Sequence, residues 1–303
     1  MHIHIVKFSR CIQFSWALVF VVLLVANQGQ IQAGEQIVSI REDVASIEHD
    51  FSGKEQAQLL AVFQESLKVL PASLDEDRKK ALHRFLASRY EDYVLSYSTL
   101  AGREDQESAW RVQVNTQALL GLLKGIGVYY TGSRPLAYRL QIMDHGHQAQ
   151  QIIAHLELLS GCVQDSVLYP LLRFESVADG MWSAVLESEQ NTWRAKGEKL
   201  ADVWQKLWAE YFSSPEGMKP FVHSMQLHMK GWSSMSAVSG FSKQLKEWHQ
   251  VVDRAVLDQV LVQGGGLQGW WTILSPEPKK LNGRLDSYTS GLGLTWKLKE
   301  EKT

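Results

Sequence analysis

The sequence predicts an α+β fold made of tandem small two-layer modules, and three observations carry that prediction. Apolar residues recur at helical spacing in some segments and at every second position in others, so helices and half-buried strands are both present. From residue 54 the two kinds of segment follow the order helix, strand, strand, helix, strand. The last third, residues 221–303, reads β-α-β-β-α-β, the split βαβ order of a ferredoxin-like sandwich.

Taken in order, residues 1–33 have the layout of a signal peptide. Lys7 and Arg10 precede an uncharged, mostly apolar run from Phe14 to Ala26. That run is 13 residues long, whereas a membrane-spanning helix needs about 20, so a cleaved export signal is expected and an uncleaved inner-membrane anchor is the alternative. Ile31-Gln32-Ala33 before Gly34 offers the cleavage site, which places the mature chain in the periplasm. Residues 34–53 are polar without a sustained period and are read as a linker.

An N-terminal α+β module is expected over 54–143. Leu59, Leu60, Phe63, Leu67 and Leu70 make a helical stripe that stops at Pro71. Ser73-Leu74-Asp75-Glu76 matches a capping box for a second helix carrying Leu82, Phe85 and Leu86. The period then changes to two through YVLSYSTL and WRVQVN, a hairpin with one dry face. Asn115 and Thr116 cap a short helix, ALLGLLKG, and LAYRLQI returns to an extended pattern after Arg134-Pro135. A middle α+β module is expected over 144–220. It holds the helix QAQQIIAHLELLSG, the strand YPLLRFES, the hairpin MWSAVLESEQNTWRAK and a helix whose Leu200, Val203, Trp204, Leu207, Trp208 and Tyr211 share one face. An aromatic stripe at that spacing is core packing.

Composition excludes some classes of function. Removing Lys7 and Arg10 from the 31 basic residues leaves 29 against 33 acidic, a mature net charge of −4, and no basic block occurs. Nucleic-acid binding needs a concentrated positive face, so it is not expected. No second apolar stretch approaches membrane-spanning length, so the mature chain is not expected to span a bilayer. Cys11 lies ahead of the apolar run and Cys162 is the only cysteine after it, so Cys162 is expected as a buried thiol or an intermolecular partner.

The helix, hairpin, helix and strand of residues 73–142 end in YYTGSRPLAYRL, where Arg134 and Pro135 lead into a closing strand. This stretch resembles part of a family of uncharacterised bacterial cell-envelope (periplasmic) proteins. More broadly, chained α+β modules behind a signal peptide are similar to the periplasmic domains of secretion and assembly machines. That resemblance implies function through protein contacts made by sheet edges and helix faces, with envelope proteins as partners. It supplies no catalytic residue.

Asp144-His145-Gly146-His147, with His155 eight residues on, is the densest chemical cluster. Asp144 is placed to cap the helix that follows, accepting from backbone N–H groups at its positive end. In that register His145 and His147 lie about 200° apart around the axis and do not chelate together. A catalytic zinc needs three converging ligands, and no His-Glu-x-x-His spacing occurs here. His223 and His228 are five apart on a strand and face opposite ways, with His228 beside Gln226 and Lys230 on a polar face. The GGGLQG run from Gly264 to Gly269 lacks the ending of a phosphate loop and is read as a hairpin turn. No Gly-x-Ser-x-Gly elbow is present.

Trp270 and Trp271 are the candidate interaction residues. Neighbours on a strand point to opposite faces, so at most one enters the helix-covered side of a two-layer module. The other needs a neighbouring module, a partner or water. The sequence thus leads to an exported, non-catalytic envelope protein acting through protein–protein contacts, such as an assembly or secretion accessory, with no cofactor implied. The alternatives are a metal-dependent hydrolase using Asp144, His145 and His147, and a periplasmic carrier of a small apolar or sugar ligand.

Overall fold

A computed structural model of the chain describes residues 33–41, 52–100, 107–143, 147–177, 180–264 and 266–300. The segment read as a signal peptide lies outside the described residues up to Gln32. Among the described residues helices and strands are segregated into three sheets with helices packed against them, which is an α+β architecture.

The first sheet has three antiparallel strands in the order β1 (Ala33–Arg41), β3 (Glu107–Asn115), β2 (Val94–Leu100). Most of β1 falls in the segment expected as a linker, which corrects that reading. Its adjacent Ile37 and Val38 show no period, and Ile37 is indeed exposed while Val38 is buried. What holds β1 is remote in sequence. Helix α1 (Gly53–Val69) carries Glu65, whose buried carboxylate accepts from Gln36 Nε2 at 2.7 Å and from Thr116 Oγ1 at 2.8 Å. Gly34 lies against that carboxylate, where a Cβ would stand 2.4 Å from Oε1.

Capping also differs in place. The capping box opens α1 at Ser52 and Glu55, which satisfy each other's backbone N–H groups. Helix α2 (Glu76–Ala87) is capped by Asp75, which accepts from Arg78 N at 2.8 Å, and not by Ser73. Helix α3 (Thr116–Gly125) is capped by Asn115 as expected.

The second sheet has the order β5 (Cys162–Gln164), β4 (Leu136–Met143), β6 (Leu171–Ser176), β7 (Trp182–Glu187), β8 (Thr192–Gly197). Strand β4 runs parallel to β5 and β6, and the remaining pairs are antiparallel. The expected boundary at 143/144 therefore passes between a strand and its own sheet. Strand β4 was expected to close the first module, but its inward Tyr138 belongs elsewhere. That ring packs edge-on against Trp204 and Trp208, 5.7 and 5.5 Å between centroids, on helix α5 (Leu200–Ser213). Its hydroxyl donates to Glu157 on helix α4 (His147–Ser160). A single apolar core consequently runs from Val38 to Phe221, through both expected modules. All six stripe residues of α5 are buried in it. Cys162 is buried too, and burial pushes its thiol up to about 12, far from reactive thiolate chemistry.

A short helix α6 (Pro215–Met218) leads to the last module, which follows the sequence reading closely: β9 (His223–Trp232), α7 (Met235–Glu247), β10 (Arg254–Gln263), β11 (Gly266–Ser275), α8 (Pro278–Thr289) and β12 (Thr295–Glu300). Its antiparallel sheet has the order β10-β11-β9-β12. Gln263 opposite Gly266 confirms a tight hairpin at the glycine run, and Gly266 at φ +131° uses backbone freedom that other residues rarely have. Both helices cover one face. Val238, Phe241 and Leu245 of α7 and Leu281 and Leu285 of α8 join Leu227, Met229, Trp271 and Ile273 in a second, separate core. The first sheet repeats three of these four places, with β1-β3-β2 matching β9-β11-β10. The place that β12 takes beside β9 is the one β4 leaves by joining the second sheet.

Candidate functional site

The sequence-level candidates separate in space. Asp144 and His145 lie outside the described residues, and His147 opens α4. His155 bonds through Nδ1 to the Gln151 carbonyl one turn back in its own helix, 2.7 Å away. Among the described residues no group of three or more His, Cys, Asp or Glu is placed to hold a metal ion. Nor, among them, is any helix long and apolar enough to cross a membrane.

Trp271 and Trp270 take opposite faces, as strand alternation requires. Trp271 is wholly buried against Phe241 and Trp232, and its indole N–H donates to Ser242 Oγ at 2.9 Å. Trp270 stands partly exposed on the other face, which α7 and α8 leave bare. It stacks on His228 across the β11–β9 pair, with ring centroids 4.2 Å apart and planes 11° from parallel. His228 is bonded to Gln268 Oε1 at 3.0 Å, and Gln268 Nε2 donates to Gln263 Oε1 at 2.7 Å. This chain of contacts holds the stacked pair in place.

The register brings together residues that the sequence scatters. Lys297 on β12 stands directly opposite His228, and Lys230 and Lys299 occupy the next same-face positions of their strands. Given strand spacing, all three Cα atoms lie within roughly 10 Å of His228. All three lysines are exposed, and among the described residues none is in an ion pair. Asp258, on the same face, is held by Thr272 Oγ1 at 2.8 Å. The alternation Lys297-Leu298-Lys299 was the available signal for this patch; the partners on β9 were not visible without the strand order.

A second constellation joins the last module to the rest of the chain. Lys124 Nζ lies 2.7 Å from Asp253 Oδ1, a carboxylate only 5% exposed, and Tyr130 donates to the same oxygen at 3.2 Å. Tyr129 donates to the His249 carbonyl at 2.6 Å, Gln250 Nε2 to the Lys68 carbonyl at 2.6 Å and Lys280 Nζ to the Pro71 carbonyl at 2.7 Å. Burial raises both tyrosine pKa values, so the phenols remain donors. The junction is thus mainly polar, between two separate apolar cores.

A pH dependence of this junction is expected. Burial first, and then Lys124, hold the His249 pKa below its ordinary value of 6.5, with Lys68 acting in the same direction and Glu65 and Glu247 against it. A released His249 takes up a proton more readily than a docked one. Docking is therefore at full strength above 6.5 and weakens as the pH falls below it. Denaturant unfolding across this range is expected to show a loss in the wild type that His249→Gln flattens; superimposed pH curves for the two would remove His249 from the account.

No family model matches the chain, and no curated protein matches it. Among solved structures it is similar to an unknown protein from Galdieria sulphuraria at 12% identity, over 89% of this chain and 100% of that chain. The TM-score of 0.20 leaves that likeness without weight for fold or function.

Proposed function

We propose that the chain is an exported, non-catalytic envelope protein that works through protein–protein contacts, and that the bare face of its C-terminal sheet is a contact surface. One observation carries this reading: a tryptophan, stacked on His228, stands partly exposed at the middle of a sheet face that neither helix of its module covers. Large aromatic anchors held rigidly at the centre of a patch, with polar groups around them, are the residues on which association energy concentrates. The Gln, Lys and Thr side chains around Trp270 match the polar rim of such a patch. Export rests on the layout of the first 33 residues.

The test is photo-crosslinking in cells producing the full chain with benzoylphenylalanine at position 270, and in parallel at an exposed position of α7 such as Lys243. A discrete crosslinked protein from position 270 alone, in the envelope fraction, is the expected result. Indistinguishable patterns from both positions would overturn the reading.

A further inference from the structure

We infer that the partner presents an acidic segment to this face, its carboxylates meeting Lys230, Lys297 and Lys299 while an apolar side chain rests beside Trp270. The inference rests on the contact-surface reading above and adds the chemistry of what is bound. Charge carries it. The chain as a whole has a net charge of −2, yet this face gathers three exposed lysines from two neighbouring strands without an acidic partner among the described residues. Like charges at neighbouring cross-strand and same-face positions repel, so an unneutralised cluster is unfavourable in the isolated module and is relieved by an anionic ligand. Among the described residues the carboxylate on that face near Trp270 is Asp258, and it is already engaged by Thr272.

The shape of the site favours an extended peptide over the other anionic ligands. One face of the Trp270 indole is already taken up by His228, 4.2 Å away, and the lysines stand on strands, not on the amphipathic helix that usually lies in a lipid interface. The His228 ring nitrogen is tied to Gln268 and through it to Gln263, so polar groups border the stacked pair. Three lysines set along two strands at successive same-face positions repeat at the two-residue period of an extended chain, about 6.6–6.8 Å. An acidic strand with carboxylates at alternate positions meets that spacing; electrostatic attraction of this kind sets on-rate and selectivity more than raw affinity.

The experiment measures binding of purified full chain to a fluorescein-labelled nonapeptide, DEDELEDED, by anisotropy at low salt. Its probes for comparison are the neutral peptide NQNQLQNQN, a short oligothymidylate, and vesicles of equimolar phosphatidylglycerol and phosphatidylcholine. The acidic peptide is expected to bind at least about tenfold more tightly than the neutral one, with Trp270→Ala weakening it by about tenfold or more. Lys230→Gln, Lys297→Gln and Lys299→Gln together should erase the preference, and because these side chains are exposed the triple variant keeps its unfolding midpoint. Equal binding of the two peptides, or a preference untouched by the lysine changes, would overturn the inference. So would tighter binding of the oligothymidylate or the vesicles through the same residues. If the peptide results fail while crosslinking from position 270 still gives a discrete protein, the acidic chemistry falls and the contact surface stands; if crosslinking fails as well, both fall.

Discussion

Trp271→Ala is expected to destabilise the C-terminal module by about 3–5 kcal/mol, and Trp270→Ala by less than about 1 kcal/mol, although the two residues are adjacent. The difference follows from the side each takes. Trp271 fills the space between Phe241, 5.2 Å away, and Trp232, 6.2 Å away, and its N–H is satisfied by Ser242. Its ring also lies over Gly269, where a Cβ would come 2.4 Å from the Cη2 atom. Truncation leaves an indole-sized void whose walls belong to three different elements, and the Ser242 hydroxyl loses the indole donor while keeping its own bond to the Val238 carbonyl. Trp270 gives up only a stacking contact with His228 on a face already in contact with water. Denaturant unfolding of the two full-length variants distinguishes them. Equal, large losses would mean that something covers the outer face in the unliganded protein, and the case for a free contact surface would end there.

The ferredoxin-like module was legible because each of its elements carries its own local signature: alternation in β9 and β11, a helical stripe in α7, glycines at the hairpin. Local signatures do not say which sheet a strand joins. LAYRLQI was recognisable as extended, but the choice between the first and second sheets depends on where Tyr138 finds aromatic partners, and those are 66 and 70 residues further on at Trp204 and Trp208. Strand β1 was missed for a related reason. Its stabilising contacts, Gln36 and Gly34 against Glu65, are polar and remote, so no apolar period announces it. The lysine patch was hidden in the same way. Counting charges along the chain found no basic block, because Lys230 and the pair Lys297 and Lys299 become neighbours only when β12 pairs with β9. A strand order of this kind can be anticipated from β-α-β-β-α-β, so the patch was derivable once the fold class was accepted.

Arg78→Ala is expected to cost about 3–5 kcal/mol, the scale of breaking a buried charged network, although nothing in the local sequence marks this arginine. It sits in the first turn of α2, with only 8% of its surface exposed. Nη1 donates to the Thr131 carbonyl at 2.9 Å, and Nη2 to Thr131 Oγ1 at 2.8 Å and to the Leu159 carbonyl at 3.4 Å. Leu159 is in the last turn of α4, whose free carbonyls form the negative end of the helix dipole. Gly161, at φ +69°, lets the chain turn there; a Cβ on it would stand 2.7 Å from Nη2. An arginine stays charged at neutral pH; burial opposes that charge and Asp75 favours it, and among the described residues the guanidinium hydrogen bonds go to two carbonyls and the Thr131 hydroxyl at the helix end. Lysine has one donor head and cannot fork across the carbonyl and hydroxyl of Thr131, so Arg78→Lys should lose about 1–3 kcal/mol. Arg78→Met keeps much of the stem's packing but leaves buried oxygens unpaired, and should fall between Lys and Ala. Unfolding midpoints of the three variants give the order directly. A methionine variant within about 1 kcal/mol of wild type would show that the stem, and not the charge, ties α2 to the end of α4.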